Sequence, residues 1–536
     1  MSHESDRGKS SRRLSAASGV DISPGEAESL SRNPSHTQTT RLGTPAREPG
    51  GARSGLHHMV RRLPLAAWIC ALVAIANGVC WSFLSPPFQT PDEPSHFAYV
   101  EHLAETGRLP SSAGEIFPPA EEIVLDDLLA GQIKFSQENH TISSLAEQET
   151  LERGMRLPLS RSEPGDAGVA ASQPPLYYTL ETIPYMLGSG GTVLDRLALM
   201  RLYSALMGGF TALFAFLFVR EVLPGAPWAW TVGGLGVALA PLLGMMSGSV
   251  NPDALMFAVS TALFYCLSRA FRRGFTSKIA IAIGITIAIG CMTKVTFLGL
   301  VPGAILGLFA LALREGRKSE AGVYRTLAIA LAIAASPACI YVILGLRTGS
   351  LSLGILTDAV SPVNHHRPGP GLLSYAWQLY LPRLPGMSPE LHGIVGSTIW
   401  FEQLVGKYGW LDTSFPLWVV KVALIPATII LALFARAMLI NRRQLRSRWI
   451  EIVVYACMCV GILVGIAATQ YQTGIPGSYT QFRYLLPLIA FGGIILALAA
   501  RGAGRRWGPT VGVFIILLAL AHDLFSQLLV ISRYYG

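Results

Sequence analysis

The sequence predicts an all-α polytopic membrane protein with about eleven transmembrane helices, and three observations carry that reading. Of 536 residues, 51% are hydrophobic and only 14% charged, against about a quarter charged in an ordinary soluble domain. Apolar runs of spanning length recur near 63–84, 195–222, 226–247, 253–271, 277–293, 295–313, 323–346, 416–440, 449–470, 482–500 and 507–531. The basic residues between the runs fall on one side in that count: Arg61-Arg62, Arg269 with Arg272-Arg273, Arg314 with Arg317-Lys318, Arg436 through Arg448, and Arg501 with Arg505-Arg506. By the positive-inside rule this side is cytoplasmic, with the N-terminus inside the cell membrane and the C-terminus outside. The net charge of +9 belongs to the tail and these short loops and implies no nucleic-acid partner.

Residues 1–58, rich in Ser, Arg, Gly and Pro, read as a disordered cytoplasmic tail ahead of a transmembrane domain over 59–536. The run 63–84 is long enough to stay as an anchor. The first outer loop, 85–173, carries roughly half of the acids. In it Phe97, Val100, Leu103 and Ala104 form an apolar stripe expected to lie on the membrane surface. Segment 174–188 is apolar but short, with Glu181 in its middle. Counting it as a span would invert every later loop, so an interfacial or re-entrant element is expected. The second outer loop, 347–415, holds Trp377, Tyr380, Trp400, Phe401, Tyr408, Trp410 and Phe415. Such aromatics serve either an interfacial belt or stacking on sugar faces. All seven cysteines lie in or against apolar runs, which points to neither a disulfide framework nor a thiolate metal site.

Just past the first run stands Thr90-Pro91-Asp92-Glu93-Pro94-Ser95-His96-Phe97. Thr90 and Glu93 match a capping box with proline at the first helical position. That accounts for Glu93 but not for Asp92 or His96, which sit four apart on one helix face. Cations occur where the outer ends of spans should have few: Arg196 and Arg201, Lys294 in the turn Thr293-Lys294-Val295, and Arg483. Each reads either as an interfacial anchor or as part of a phosphate-binding rim, on the assumption that the four converge. Asn251-Pro252-Asp253 is a helix start or a polar contribution to the same face. His522-Asp523, inside the last run, reads as a hydrogen-bonded structural pair. His365-His366 and Asp126-Asp127 offer only weak metal-site patterns, and no cofactor is indicated.

Pro-Asp-Glu-Pro-Ser-His-Phe (91–97), Gln-Pro-Pro-Leu-Tyr-Tyr (173–178), Asn-Pro-Asp-Ala-Leu (251–255), Tyr-Gly-Trp-Leu-Asp-Thr (408–413) and Phe-Arg-Tyr-Leu-Leu-Pro (482–487) resemble the bacterial membrane family known as domain-of-unknown-function family 2142. The likeness runs from about residue 63 to the C-terminus. That family in turn resembles the GT-C class of polytopic glycosyltransferases, which take a sugar from a polyprenyl-phosphate carrier on the outer side. The resemblance implies a GT-C-like fold, a polyprenyl-phosphate-linked donor, and an envelope glycan, lipid or protein as acceptor. It makes Asp92 the expected general base, with Glu93 orienting it or the acceptor. His96, Arg196, Arg201, Lys294 and Arg483 are expected at the substrate, together with Gln173, Tyr177, Tyr178, Asn251, Asp253, Trp410 and Asp412 from the matching patches. The competing classes are a transporter or flippase of a lipid-linked glycan, using the same cations without chemistry, and a non-catalytic protein of envelope assembly.

Overall fold

A computed structural model describes residues 63–536 except 111–116, 118, 129, 135–143, 157–166, 317–319, 349–370, 392–395, 397 and 474–479. The expected tail and His365-His366 lie outside the described residues, as do parts of both long loops. Among the described residues nine helices are long and apolar enough to cross a membrane. They are α1 (Leu65–Leu84), α4 (Val193–Val222), α7 (Asp253–Arg273), α9 (Val301–Gly316 with the 3-10 turn Val295–Leu300), α10 (Glu320–Thr348), α12 (Leu417–Ile440), α13 (Trp449–Thr473), α14 (Ile489–Gly502 with the 3-10 turn Phe482–Leu488) and α15 (Gly508–Tyr535). Shorter helices lie between the spans, among them α2 (Glu93–Thr106) and α3 (Leu176–Leu187) before α4, and α11 (Leu372–Tyr380) before α12.

Two of the expected spans differ in form from the rest. The run near 226–247 is a pair, α5 (Pro227–Ala238) and α6 (Pro241–Ser247), bent by 57°. Pro241 removes the backbone donor that would have continued α5 and restarts the helix at its own first turn. The run near 277–293 yields α8 (Ser277–Cys291), whose 15 residues cover about 22 Å. It still returns to the level at which α7 began, because Lys294, just beyond it, reaches Asp253 at the start of α7. A two-stranded hairpin departs from the all-helical expectation: β1 (Lys407–Tyr408) pairs antiparallel with β2 (Thr413–Ser414). Gly409 and Leu411 turn it with φ of +57° and +65°.

Arginines tie together the basic ends of the helices. Arg272 donates to the carbonyls of Glu221 and Val222, and Arg448 to that of Val222. Arg314 reaches the Phe271 carbonyl, Arg436 that of Gly502, and Arg273 pairs with Glu221 at 2.6 Å. Cations on the last carbonyls of α4, α7 and α14 complement the negative helix ends. The loops after α4, α7, α9, α12 and α14 therefore share one end of the bundle.

At the opposite end a second core forms. Phe88, Phe97, Tyr99, Val100, Tyr177, Tyr178, Tyr185, Leu197 and Met200 pack together there. The stripe on α2 thus lies under protein rather than on a membrane: Phe97 and Val100 are fully buried, with Leu103 and Ala104 against the same core. The reason is α3, whose tyrosines cover it, while Ile183, Met186 and Leu187 of α3 face outward. α3 has 12 residues, about 18 Å of helix.

The turn before α9 is held by close backbone contact with α13. A Cβ at Gly299 or at Gly461 would strike the carbonyl oxygen of the other. Gly461→Val should destabilise the protein by about 1–3 kcal/mol through overpacking. Gly465→Val, on the same helix with open space beside it, should not. Thermal unfolding of the two variants in detergent checks this, and equal midpoints would refute it.

Candidate functional site

The turn after α1 is built around Glu93. Its carboxylate is fully buried and accepts from Arg201 Nε and Nη2 at 2.8 and 2.5 Å, and from the backbone N–H groups of Phe88 and Val250, each at 3.1 Å. Arg201 spends its other donors on the carbonyls of Ser82, Ser85 and Pro86, at 2.9, 2.8 and 3.0 Å. All five guanidinium hydrogens are thereby used. This corrects two expectations. Glu93 closes no capping box: the residue preceding α2 is Asp92, with no side-chain cap, and the Thr90 hydroxyl has no hydrogen-bond partner. Nor does Glu93 orient Asp92 by contact or offer a lone pair to an acceptor. Arg201, for its part, has no donor left for a phosphate.

With Glu93 drawn inward, Asp92 is left facing out, in the left-handed region at φ +65°. Aspartate tolerates that conformation better than most residues, at a cost of about 1 kcal/mol. Its carboxylate pairs with Arg483 Nη2. Arg483 Nη1 lies 3.4 Å from the Pro91 carbonyl, which also accepts from Asn251 Nδ2 at 3.2 Å. Asn251 Oδ1 in turn accepts the Asp253 N–H at 3.0 Å and shapes the start of α7. Asp253 is fully buried, with Oδ1 2.6 Å from Lys294 Nζ and Oδ2 3.8 Å from Arg483 Nη1. Four residues distant in sequence thus alternate in sign: Asp92, Arg483, Asp253, Lys294. Only Asp92 is open, its side chain keeping 32% of its surface against 3% for Arg483 and 10% for Lys294. Burial pushes the Asp92 carboxyl up, but the Arg483 guanidinium, aided by His96 and Lys294, outweighs it and holds the group at about 2.

His96 stands one helical turn on and shares a hydrogen bond of 2.9 Å between Nδ1 and Tyr178 OH. Burial lowers the imidazole to about 3 despite the neighbouring Asp92 carboxylate, with Lys294 and Arg483 also disfavouring its charge. Tyr178 stacks on Tyr99 with ring centroids 3.6 Å apart. The segment carrying it is anchored by Leu176 N–H to the Met292 carbonyl, at 3.0 Å, beside the Lys294 turn. Tyr99 was not singled out from the sequence, although its position three residues after His96 puts both on one face. Gln403 also escaped notice. It donates to the Thr480 carbonyl and accepts from Phe482 N–H, at 2.7 and 2.6 Å, and so fixes the chain entering Arg483.

Other expected site residues lie elsewhere. Arg196 donates to Tyr185 OH at 3.1 Å, so the four-cation rim reduces to Lys294 and Arg483. Tyr177 meets the Tyr178 ring edge-on, but its hydroxyl is bonded to Ser204 at 2.8 Å, and Ser204 donates to Glu181 at 2.7 Å. Burial raises Glu181 to about 8 against those hydrogen bonds. Gln173 contributes its carbonyl, 3.5 Å from Tyr99 OH. Trp410 and Asp412 sit in the β-hairpin, where Lys134 lies 3.6 Å over the Trp410 ring and Thr413 donates to Asp412. Tyr408 of that hairpin is buried and bonded to Ser526 at 2.6 Å, and Trp400 stacks on Tyr380, whereas Trp377 is exposed. His522 and Asp523 do not pair with each other. Asp523 accepts from Trp81 Nε1 at 3.1 Å and Gln527 Nε2 at 3.0 Å, while His522 meets the Val405 carbonyl. Among the described residues no three His, Cys, Asp or Glu gather as a metal site.

Two outcomes follow from these contacts. Arg201→Ala strands a buried carboxylate and should cost about 3–5 kcal/mol, read as a lowered unfolding midpoint; a midpoint like the parent's would count against the pair. His96, whose folded-state value lies below the ordinary 6.5, stabilises fully above about pH 6.5 and progressively less as pH falls toward 3, because only the unfolded chain takes up the proton. His96→Gln should accordingly lose less thermal stability than the parent between pH 7 and pH 5, and parallel losses would show that the imidazole is not held neutral.

No curated protein matches the chain in sequence. Among solved structures it is similar to ArnT from Cupriavidus metallidurans bound to undecaprenyl phosphate, with 12% identity, 80% of this chain and 59% of that one covered, and a TM-score of 0.43. It is also similar to the oligosaccharyltransferase AglB from Archaeoglobus fulgidus in complex with an inhibitory peptide and a dolichol-phosphate, with 14% identity, 88% and 56% covered, and a TM-score of 0.43. The chain spans less than two thirds of the length of either protein. Residues 76–491, well over half of the chain, match the family described as predicted membrane protein (DUF2142). This multi-pass membrane protein belongs to the DUF2142 family.

Proposed function

We propose that the protein is a membrane glycosyltransferase that moves a sugar from a polyprenyl-phosphate carrier to an acceptor of the cell envelope on the outer side of the plasma membrane. The observation that carries this reading is the convergence of Asp92, Asp253, Lys294 and Arg483, one open carboxylate among two buried cations. The cluster lies at the end of the bundle opposite the arginine-rich loops. The positive-inside rule makes that end extracytoplasmic, where a lipid-linked donor is available and a cytosolic nucleotide sugar is not. The exposed Ile183, Met186 and Leu187 of α3 suit a helix resting in the interface beside it.

In this mechanism Lys294 and Arg483 receive the phosphate that links carrier and sugar. As the bond between the anomeric carbon and phosphate oxygen breaks, charge collects on that oxygen, and fixed cations in a water-poor site stabilise it. Asp92 takes the proton from the acceptor hydroxyl as it attacks the same carbon from the opposite side. A single displacement of this kind inverts the anomeric configuration. Asp253 holds both cations in place, and Asn251 holds the Pro91 carbonyl beside Asp92. A transporter of the lipid-linked sugar would use the same two cations, but it gives the open carboxylate no task.

Membranes supplied with a radiolabelled polyprenyl-phosphate sugar test the reading. Asp92→Asn should lower transfer by about 10²–10⁴-fold with the fold intact, and full transfer by this variant would sink the assignment. Arg483→Gln and Lys294→Gln should weaken use of the donor more than of the acceptor, and the reverse order would remove the phosphate from this site.

A further inference from the structure

Asp92 and Arg483 are assigned to opposite ends of the proposed reaction, yet in the structure they hold each other. Arg483 gives Nη2 to Asp92, while its Nε has no hydrogen-bond partner although buried. Asp253 Oδ2, fully buried, also lacks a hydrogen bond. The cluster is electroneutral as it stands, with two carboxylates and two cations. A phosphate added to it brings at least one further negative charge into a site where three of the four groups are buried. Coulomb repulsion then falls hardest on the carboxylate that can leave most cheaply. Asp253 cannot leave: it is fully buried, at the head of α7, and bonded to Lys294 at 2.6 Å. Asp92 can, since its side chain is the only open one of the four and reaches water by a rotation about its own bonds.

We propose that Asp92 occupies the phosphate site of the donor-free protein, and that the lipid phosphate takes Arg483 over and releases Asp92 to act as the base. This rests on the glycosyltransferase reading and adds a regulation to it. Paired with Arg483, the carboxylate is a poor proton acceptor; freed from the guanidinium and brought near an anion, it becomes a better one. Donor binding thereby switches on acceptor activation, and an acceptor hydroxyl or water meeting the empty site finds an inactive base. Arg483 Nε, buried without a hydrogen bond, and Asp253 Oδ2, which meets Arg483 only as an ion pair at 3.8 Å, fit a guanidinium set for a different partner from the one it holds.

The exchange makes the base an inhibitor of donor binding, so one substitution should move binding and turnover in opposite directions. Binding of polyprenyl phosphate to the purified full-length protein in detergent is measured for the parent, Asp92→Asn and Asp92→Glu, with the phosphate-free polyprenol as control. Asp92→Asn should bind the phosphate about fivefold more tightly than the parent, the value of one partly exposed ion pair removed from competition, while transfer is lost. Asp92→Glu, which keeps the competing charge, should return affinity toward the parent's. Equal or weaker binding by Asp92→Asn, with the parent binding normally and all variants unfolding at similar temperatures, overturns the exchange and leaves the glycosyltransferase reading standing. A parent that binds polyprenyl phosphate no better than polyprenol overturns both.

Discussion

A guanidinium with every hydrogen committed organises the polar end of this protein. Arg201 projects from α4 and gathers the carbonyls that end α1, the turn that follows, and the first residue of α2. Through Glu93 the same knot reaches Val250, just before α7. Four segments are fixed against one another by two side chains with almost no exposed surface. Such a pair gains little over a well-packed apolar replacement, because desolvating both ions is costly. What it supplies is position: once Glu93 is drawn inward, the backbone leaves Asp92 on the other side of the turn, facing Arg483.

The site built on that turn is balanced rather than charged. Two carboxylates and two cations alternate, so each buried ion has an opposite neighbour, and the cost of taking any one from water is shared. The balance also explains why the cations are few. A rim of four, without matching acids, would have left positive charge buried and unpaired in the donor-free protein. Arg201 is instead matched to Glu93, and Arg196 lies against the ring and hydroxyl of Tyr185. The tyrosines of α3 then close the second core over α2, hold His96 neutral and dry, and bring Tyr178 beside the acidic turn.

The proposed chemistry uses this balance as a stored state. A neutral cluster accepts an anion only by rearranging, and the group free to move is the one assigned as base. Binding and activation are then one event, which is an economical way to keep a reactive carboxylate idle beside water.

Much of the architecture was legible in the residues alone. Long apolar runs and the side on which arginines collect depend on transfer of side chains between water and lipid, a property summed along the chain and independent of what each residue touches. Asp92, Asp253, Lys294 and Arg483 could be singled out for the same reason, since ionisable groups at the ends of spans are costly wherever they point. Partnership was not legible. Glu93 fitted a local capping pattern, but its partner lies 108 residues away, and no spacing rule reaches that far. Arg201 and Arg483 look alike as isolated cations, yet one is consumed by the scaffold and the other faces the open carboxylate. The α2 stripe had the right period for a membrane surface and found α3 instead. Composition thus determined that the chain crosses a membrane and where its costly charges lie. Only the tertiary structure decided which charge meets which, because that choice turns on distances between helices.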